Sequence, residues 1–538
     1  MQIEQARLAD VLADEPSGAW LEELSALYGK LEPLLVERAG AWKTVVKAFQ
    51  EKFGDHGELF MLRAPARANL LGRHSDFQGG RSNGTCLPME LLAVARFRRD
   101  DTVAMADVRS SLFPDRSFSI ADWLPPEWRG KEWYDYLHHV YSQLIPGDWI
   151  NYAQGPVLRQ QNMCPDRQLC GFDAMILGNV VRAAGLSSSS SLSCLATLAV
   201  AIANDIEMSR EEVALESGRG EHFTGTRGGA GDQAVIMLTP LGKVLHNRTR
   251  PHVEYELLDF PKSCVLVVMY SGLPAKKAVG RAKNDYNEHA AAYQFGVKLL
   301  NRQGEGLEKV SMIADLIGPE LGLTEKQVLE AVRALPERIT RPELRKVCAG
   351  EEKWFEQIIA THEEPQAGYA VRKICLFGVA EFSRSRMAPA LLGAGDLKEF
   401  GRLMYASHDG DRVVEWSADG KARPHDNEAP DGYMDELVAG ANVSRGEYKL
   451  LPHQPGGYPN SCWQTDRIVD ICKEVEGVYG ACLTGAGFGG HVLALVAPDQ
   501  VVALFAGLKR DFYEANGIPF GAQLCTAASS ATVHRLVC

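Results

Sequence analysis

One stretch constrains the fold of this chain more than any other: GLSSSSSLSCLATLAVAIAND, residues 185–205, in which a glycine and five serines run into an apolar segment. Composition alone would make it a linker. Its surroundings say otherwise. GFDAMILGNV, residues 171–180, alternates as a strand, and LSCLATLAVAIAND, rich in Ala and Leu, reads as a helix closed at Asn204-Asp205. A strand–loop–helix gathers free backbone N–H groups and the positive end of a helix at one point. That is an anion cradle, to which serine hydroxyls add donors and a Mg²⁺ ligand. The pattern G-x-x-x-x-G-K-[ST] is absent, because every Gly-Lys pair is followed by Leu, Glu, Val or Ala. A phosphate site here must be of another type.

At 538 residues the chain exceeds one ordinary core, so two domains and an added segment are expected. A formal charge of −12 argues against nucleic acid as a partner. No run approaches 18 apolar residues, so no membrane span is predicted. The start, MQIEQARLADVLADEPSGAW, lacks a basic region followed by an apolar core, so no secretory signal is expected. Twelve cysteines without CxxC pairs read as reduced thiols of a cytoplasmic protein.

Residues 1–57 read as a helical extension, with 58–260 and 261–538 as the two domains. LFMLRAPARANLLG, residues 59–72, opens as a strand closed by Pro65 and passes into a loop, GRHSDFQGGRSNG. CLPMELLAVARFRR suggests a strand returning through the same sheet. KSCVLVVMYSG, residues 262–272, opens the second domain, followed by a helical region over about 278–365. Residues 405–460, full of Gly, Pro, Asp and His, read as loop.

Ala183-Ala184-Gly185-Leu186-Ser187-Ser188-Ser189 resembles the phosphate loop of the GHMP kinases, the superfamily of galactokinase, homoserine kinase and mevalonate kinase. APARANLLGRHSDFQGG, residues 64–80, resembles the galactokinase signature, and GVYGACLTGAGFGGHVLALV, residues 477–496, is similar to that family's C-terminal glycine loop. GAGFGG also fits G-x-G-x-x-G. A dinucleotide site wants a helix next, whereas strand-like HVLALV follows. The resemblance implies a two-domain α+β fold with the active site in the cleft between the domains.

It further implies a sugar 1-kinase using ATP and Mg²⁺. Asp232 would take the proton of a sugar's anomeric hydroxyl, with Arg67 beside it keeping it ionised and stabilising charge on the transferring phosphoryl group. Residues 183–189 would hold the nucleotide phosphates, Trp149 and Tyr152 would lie near adenine, and Glu221 and Ser189 would bind Mg²⁺. His74, Asp76 and Tyr286 would contact sugar hydroxyls, and Gly229 would let the substrate approach the backbone. Taken singly, each has a blander reading: Asp232 as a cap, Arg67 as a surface arginine, Glu221 as a solvated acid, Tyr286 as a half-buried aromatic.

The sequence departs from the family's pattern at Arg73, where galactokinases carry a glutamate that accepts from the hydroxyl on the sugar's sixth carbon. Arginine only donates, so it would suit a carboxylate at that carbon, as in galacturonate, unless it turns to an internal acid. Galactose and arabinose stay open as substrates. Phe77 replaces a tyrosine. A non-catalytic sensor of sugar and ATP is the rival class, though Asp232, Arg67, Glu221 and the serines are all kept. A monomer or weak homodimer is expected.

Overall fold

The computed structural model describes residues 3–180, 185–226, 228–275, 280–304, 306–417 and 421–537. Its larger sheet has nine strands among these residues. At its centre Leu59–Leu71 and Ser82–Phe97 pair antiparallel, and Phe172–Gly178 adds to the second of them. The period-2 pattern of these strands divides two cores. Met61, Leu92 and Val94 face helices Gly18–Tyr28 and Glu32–Phe53, joining Trp42 and Phe49. Leu62, Leu91 and Ala93 face the other way, into the cluster formed with helices Asn151–Met163, Ser188–Ala203, Arg210–Glu221 and Gly231–Leu238.

Three features differ from the expectations above. The strand does not close at Pro65. It runs on to Leu71, because the register shifts between Pro65 and Ala66 and a bulge needs no donor from the proline. The first segment is not wholly helical, since Glu4–Arg7 pairs parallel with Thr532–Val537, which itself pairs with Leu59–Leu71. Four residues give no local signal for a partner found only at the far end of the chain. Residues 405–460 are not plain loop. They finish helix Leu397–Asp411, form the hairpin Val414–Trp416 and Ala422–Pro424, and include helix Asp431–Gly440.

The smaller sheet orders Val478–Leu483, His491–Val496, Val265–Tyr270 and Ala522–Cys525, all antiparallel. Val267, Met269, Val492 and Ala494 pack on helices Trp463–Glu474 and Val501–Leu508. A helical lobe follows the strand Val265–Tyr270. Gly280–Leu300 opens it, and short helices rather than one long run occupy 307–359. Helix Val371–Arg386 packs in the same cluster as Phe77 and Tyr293. No helix among the described residues is long and apolar enough to cross a membrane.

Candidate active site

One cavity is lined by Arg67, His74, Asp76, Glu221, Asp232 and Tyr286, together with glycines of residues 228–231 and Gly485. Asp232 is the second residue of helix Gly231–Leu238, where the helix dipole favours a carboxylate. Arg67 reaches it from the bulged strand. Its Nε and Nη2 donate to Asp232 Oδ1 and Oδ2 at 2.6 and 2.7 Å, and its Nη1 donates to the Gly185 carbonyl at 2.7 Å. Ser187 Oγ donates to Asp232 Oδ2 at 2.6 Å. The Arg67 side chain is 3% exposed and that of Asp232 26%, so the carboxylate is the partner open to a substrate.

Ser187, at φ +60°, turns the chain into helix Ser188–Ala203. Ser188 and Ser189 are half-buried on its first turn, where helical geometry leaves N–H groups without intrahelical partners. Ala183 and Ala184 lie outside the described residues. The hydroxyl set against Glu221 is that of Ser190, not of Ser189: Ser190 Oγ donates to Glu221 Oε2 at 3.0 Å, and Gln233 Nε2 donates to the same oxygen at 2.7 Å. A step of one residue turns a helix by about 100°, which separates the two serines. A buried carboxylate and a hydroxyl beside a phosphate cradle are hard oxygen donors of the kind Mg²⁺ takes, so the residues present fit that ion.

The glycine loop lies directly on this cradle. A Cβ on Gly485 would stand 2.5 Å from the Gly185 carbonyl oxygen, and one on Gly185 would stand 2.5 Å from that of Thr484. A side chain at either position would force the two backbone segments apart. The loop joins the antiparallel strands Val478–Leu483 and His491–Val496, which rules out the dinucleotide arrangement. Asn460 fastens it, with Nδ2 donating to the Ala486 carbonyl at 3.1 Å and its own carbonyl accepting from Phe488 N at 2.5 Å. His289 in turn bonds Asn460 Oδ1 at 2.8 Å.

On the sugar side, His74, at φ +55°, places Nε2 3.0 Å from Asp411 Oδ1 and stacks on Tyr458 at 4.4 Å. Asp76 accepts from Gly231 N and Phe77 N, each at 3.0 Å. Burial, then the neighbouring Asp232, raises its pKa above the usual carboxylate value. Gly229 must be glycine, since a Cβ there would stand 2.3 Å from Asp76 Oδ2. Tyr286 borders the cavity from helix Gly280–Leu300 and is 7% exposed. Phe77 packs edge-on to Tyr293, in the helical core.

Arg73 turns inward. It is 1% exposed, donates through Nη1 to the Leu483 carbonyl at 2.6 Å and through Nη2 to Ser407 Oγ at 2.8 Å, and places Nη2 2.6 Å from Asp411 Oδ2. Burial alone would lift the Asp411 pKa; Arg73 and His74 outweigh it and hold the carboxyl below its usual range. Glu381 Oε1 accepts from the backbone N–H of Gly72 and Arg73, at 2.6 and 3.1 Å. Trp149 and Tyr152 do not border this cavity. Trp149 Nε1 donates to the Pro114 carbonyl at 3.1 Å, and the Tyr152 carbonyl accepts from Ser193 Oγ at 2.9 Å.

The sequence reading missed Asp411, Glu381, Asn460, Ser190 and Gln233. Asp411 stands in HDGDR, whose acids were the one available signal, within a stretch read as loop.

A mixed sheet carrying the serine loop, facing a second sheet with a glycine hairpin, is the two-domain architecture of GHMP kinases. The family models described as GHMP kinases N terminal domain and GHMP kinases C terminal match residues 151–239 and 434–514. The galactokinase galactose-binding signature matches residues 47–97. The chain is 26% identical over 491 residues to a galactokinase of Chloroflexus aurantiacus, covering 91% of this chain and 97% of the relative. It is 25% identical over 474 residues to one of Streptococcus mutans, covering 88% and 93%. The fold matches that of Lactococcus lactis galactokinase complexed with galactose at a TM-score of 0.63, with 21% identity over 91% of this chain and 98% of that one. Over most of its length the chain is similar to galactokinases, within the GHMP kinases.

Proposed function

We propose that the protein transfers the γ-phosphoryl group of ATP to the anomeric hydroxyl of galactose. The observation that carries this reading is the two-point grip of Arg67 on Asp232, set against the serine loop and opening on His74, Asp76 and Tyr286. Phosphoryl transfer asks a protein mainly for in-line positioning and for neutralised charge. The helix start at Ser188 and the hydroxyls beside it receive the phosphates. Arg67 and Ser187 fix both Asp232 oxygens, so the carboxylate presents one orientation to the hydroxyl whose proton it takes. Asp76 accepts from a sugar hydroxyl, and Gly229 leaves room for the ring. Glu221 and Ser190 would hold Mg²⁺, which when bound neutralises charge between the phosphates.

Arg73 supports galactose over a uronic acid. Its guanidinium is neutralised by Asp411 and engaged by Ser407 and the Leu483 carbonyl, so it brings no unbalanced charge to meet a substrate carboxylate. The retained catalytic pair favours an enzyme over a sensor. A cytoplasmic setting fits the eleven described cysteines, all free thiols, and the enzyme would act as a monomer or weak homodimer. ADP release with galactose, galacturonate and arabinose tests the substrate. Turnover fastest with galactose is expected; no sugar-stimulated ADP release with any of them refutes the reading.

A further inference from the structure

A second cavity, of about 280 Å³, shares no lining residue with the first. It is lined by four arginines, Arg81, Arg248, Arg250 and Arg386, with Met312 and Phe382 among its apolar residues. Its acids are Glu254, Asp315 and Glu320. Glu254 is shared by three partners: Arg81 at 2.8 Å, the His252 ring at 2.8 Å and Arg248. Asp315 is occupied by the backbone N–H groups of Ser311 and Met312, at 2.8 and 2.9 Å. Arg248 Nε is buried and has no hydrogen-bond partner, although it belongs to a group that stays charged at any working pH. Burial, then crowding by Arg248, lowers the Arg81 pKa, with Arg386 adding to the effect, and burial, then Arg81 and Arg386, pushes His246 down. Positive charge is therefore left over at this place.

We propose that the cavity binds a small phosphate-bearing anion, its phosphate taken by Arg81, Arg248, Arg250 and Arg386 and its organic part lying against Met312 and Phe382. Guanidinium forks match phosphate oxygens two at a time, and four of them line this one cavity. The chemistry differs from that of the serine loop, which offers amides and hydroxyls. The cavity also backs the sugar loop: the Arg81 carbonyl accepts from Ser75 Oγ at 3.4 Å and Ser385 Oγ at 2.5 Å.

Calorimetric titration of the full chain with inorganic phosphate and with glycerol 3-phosphate tests this. Saturating Mg²⁺ and a nonhydrolysable ATP analogue keep the nucleotide site occupied throughout. One saturable site is expected, weakened by about tenfold or more in Arg248→Gln and in Arg386→Gln, the loss of a charged hydrogen bond. Both variants should keep the wild-type unfolding temperature and turnover. Tighter glycerol phosphate would identify an organic phosphate as the occupant, and equal affinities free phosphate; either result has the phosphate group read by the arginines. No saturable binding, or binding equal in wild type and both variants, overturns the proposal.

Discussion

On the nucleotide side of the catalytic cavity, Arg67, Ser187, Asp232 and Gly185 hold one another, and all four stand in motifs that announce themselves in the sequence. On the sugar side, Arg73 and His74 reach Asp411, Ser407 and Glu381, which belong to the second half of the chain and to no recognisable motif. The first arrangement is a catalytic device whose parts touch directly. The second is a loop held in shape by two helices from the other half of the chain, Val371–Arg386 and Leu397–Asp411. Changes to the Arg67–Asp232 pair should therefore act on kcat, changes to the glycine loop on the KM for ATP, and changes on the sugar side on the KM for galactose and on stability.

The largest effect falls where the two sides meet. Asp232→Asn keeps the size of the side chain and removes the base, so kcat should drop by about 10²–10⁴-fold in a coupled ADP assay. Galactose binding by calorimetry should survive. A variant that kept wild-type kcat would remove Asp232 from the chemistry and with it the division drawn above.

Asp411→Ala probes the other side. It strips a fully buried carboxylate from Arg73 and His74 and leaves a buried arginine without its ion partner. Breaking such a pair costs about 3–5 kcal/mol, visible as a fall in the denaturation midpoint. The KM for galactose should rise more than kcat falls, because His74 loses the group that fixes its ring. The double variant Arg73→Met/Asp411→Leu removes both charges and should regain most of the stability. If it is no more stable than Asp411→Ala, the ion pair is not what holds the loop.

The same contrast explains what could be read beforehand. The serine loop is a local pattern, strand then loop then helix within about 30 residues, and local patterns show in a linear sequence. Arg67 and Asp232 were legible because each stands in a recognisable motif. Arg73 was legible as a departure, but its direction was not, since Asp411 lies 338 residues away. Nor could the Ser190 contact be told from one through Ser189, because five identical residues carry no register. The strand Glu4–Arg7 was hidden for a further reason: four residues have too little propensity to signal a strand without their partner.

Gly485→Ala should act on the nucleotide side and more mildly. The position has φ +80°, and the added Cβ would press on the Gly185 carbonyl. A left-handed conformation costs a non-glycine residue about 1–2 kcal/mol before any clash, so the KM for ATP should rise by about tenfold while that for galactose moves little. Equal changes in both constants would mean that the glycine loop serves the whole cleft.

The smallest effect is a pH dependence carried by His289, which links the sugar-side helix to the glycine loop through Asn460. Asn460 Nδ2 donates to Ala486, so its Oδ1 must accept, and His289 Nδ1 must carry the proton of a neutral ring. Burial pushes this histidine down to about 3 from an ordinary value of 6.5. The unfolded chain then binds a proton that the folded one refuses, so stability falls as pH drops below 6.5 and keeps falling toward 3. Between pH 6.5 and 5 the loss amounts to about 1–2 kcal/mol. His246 and His362, each pushed down to about 4, add to it from elsewhere in the fold. Gln at position 289 can still donate to Asn460 but cannot titrate, so urea midpoints of His289→Gln should fall less steeply over this range than those of the wild type. Parallel midpoint curves for the two proteins would show that His289 takes up its proton without unfolding, and that the glycine loop does not depend on a neutral ring.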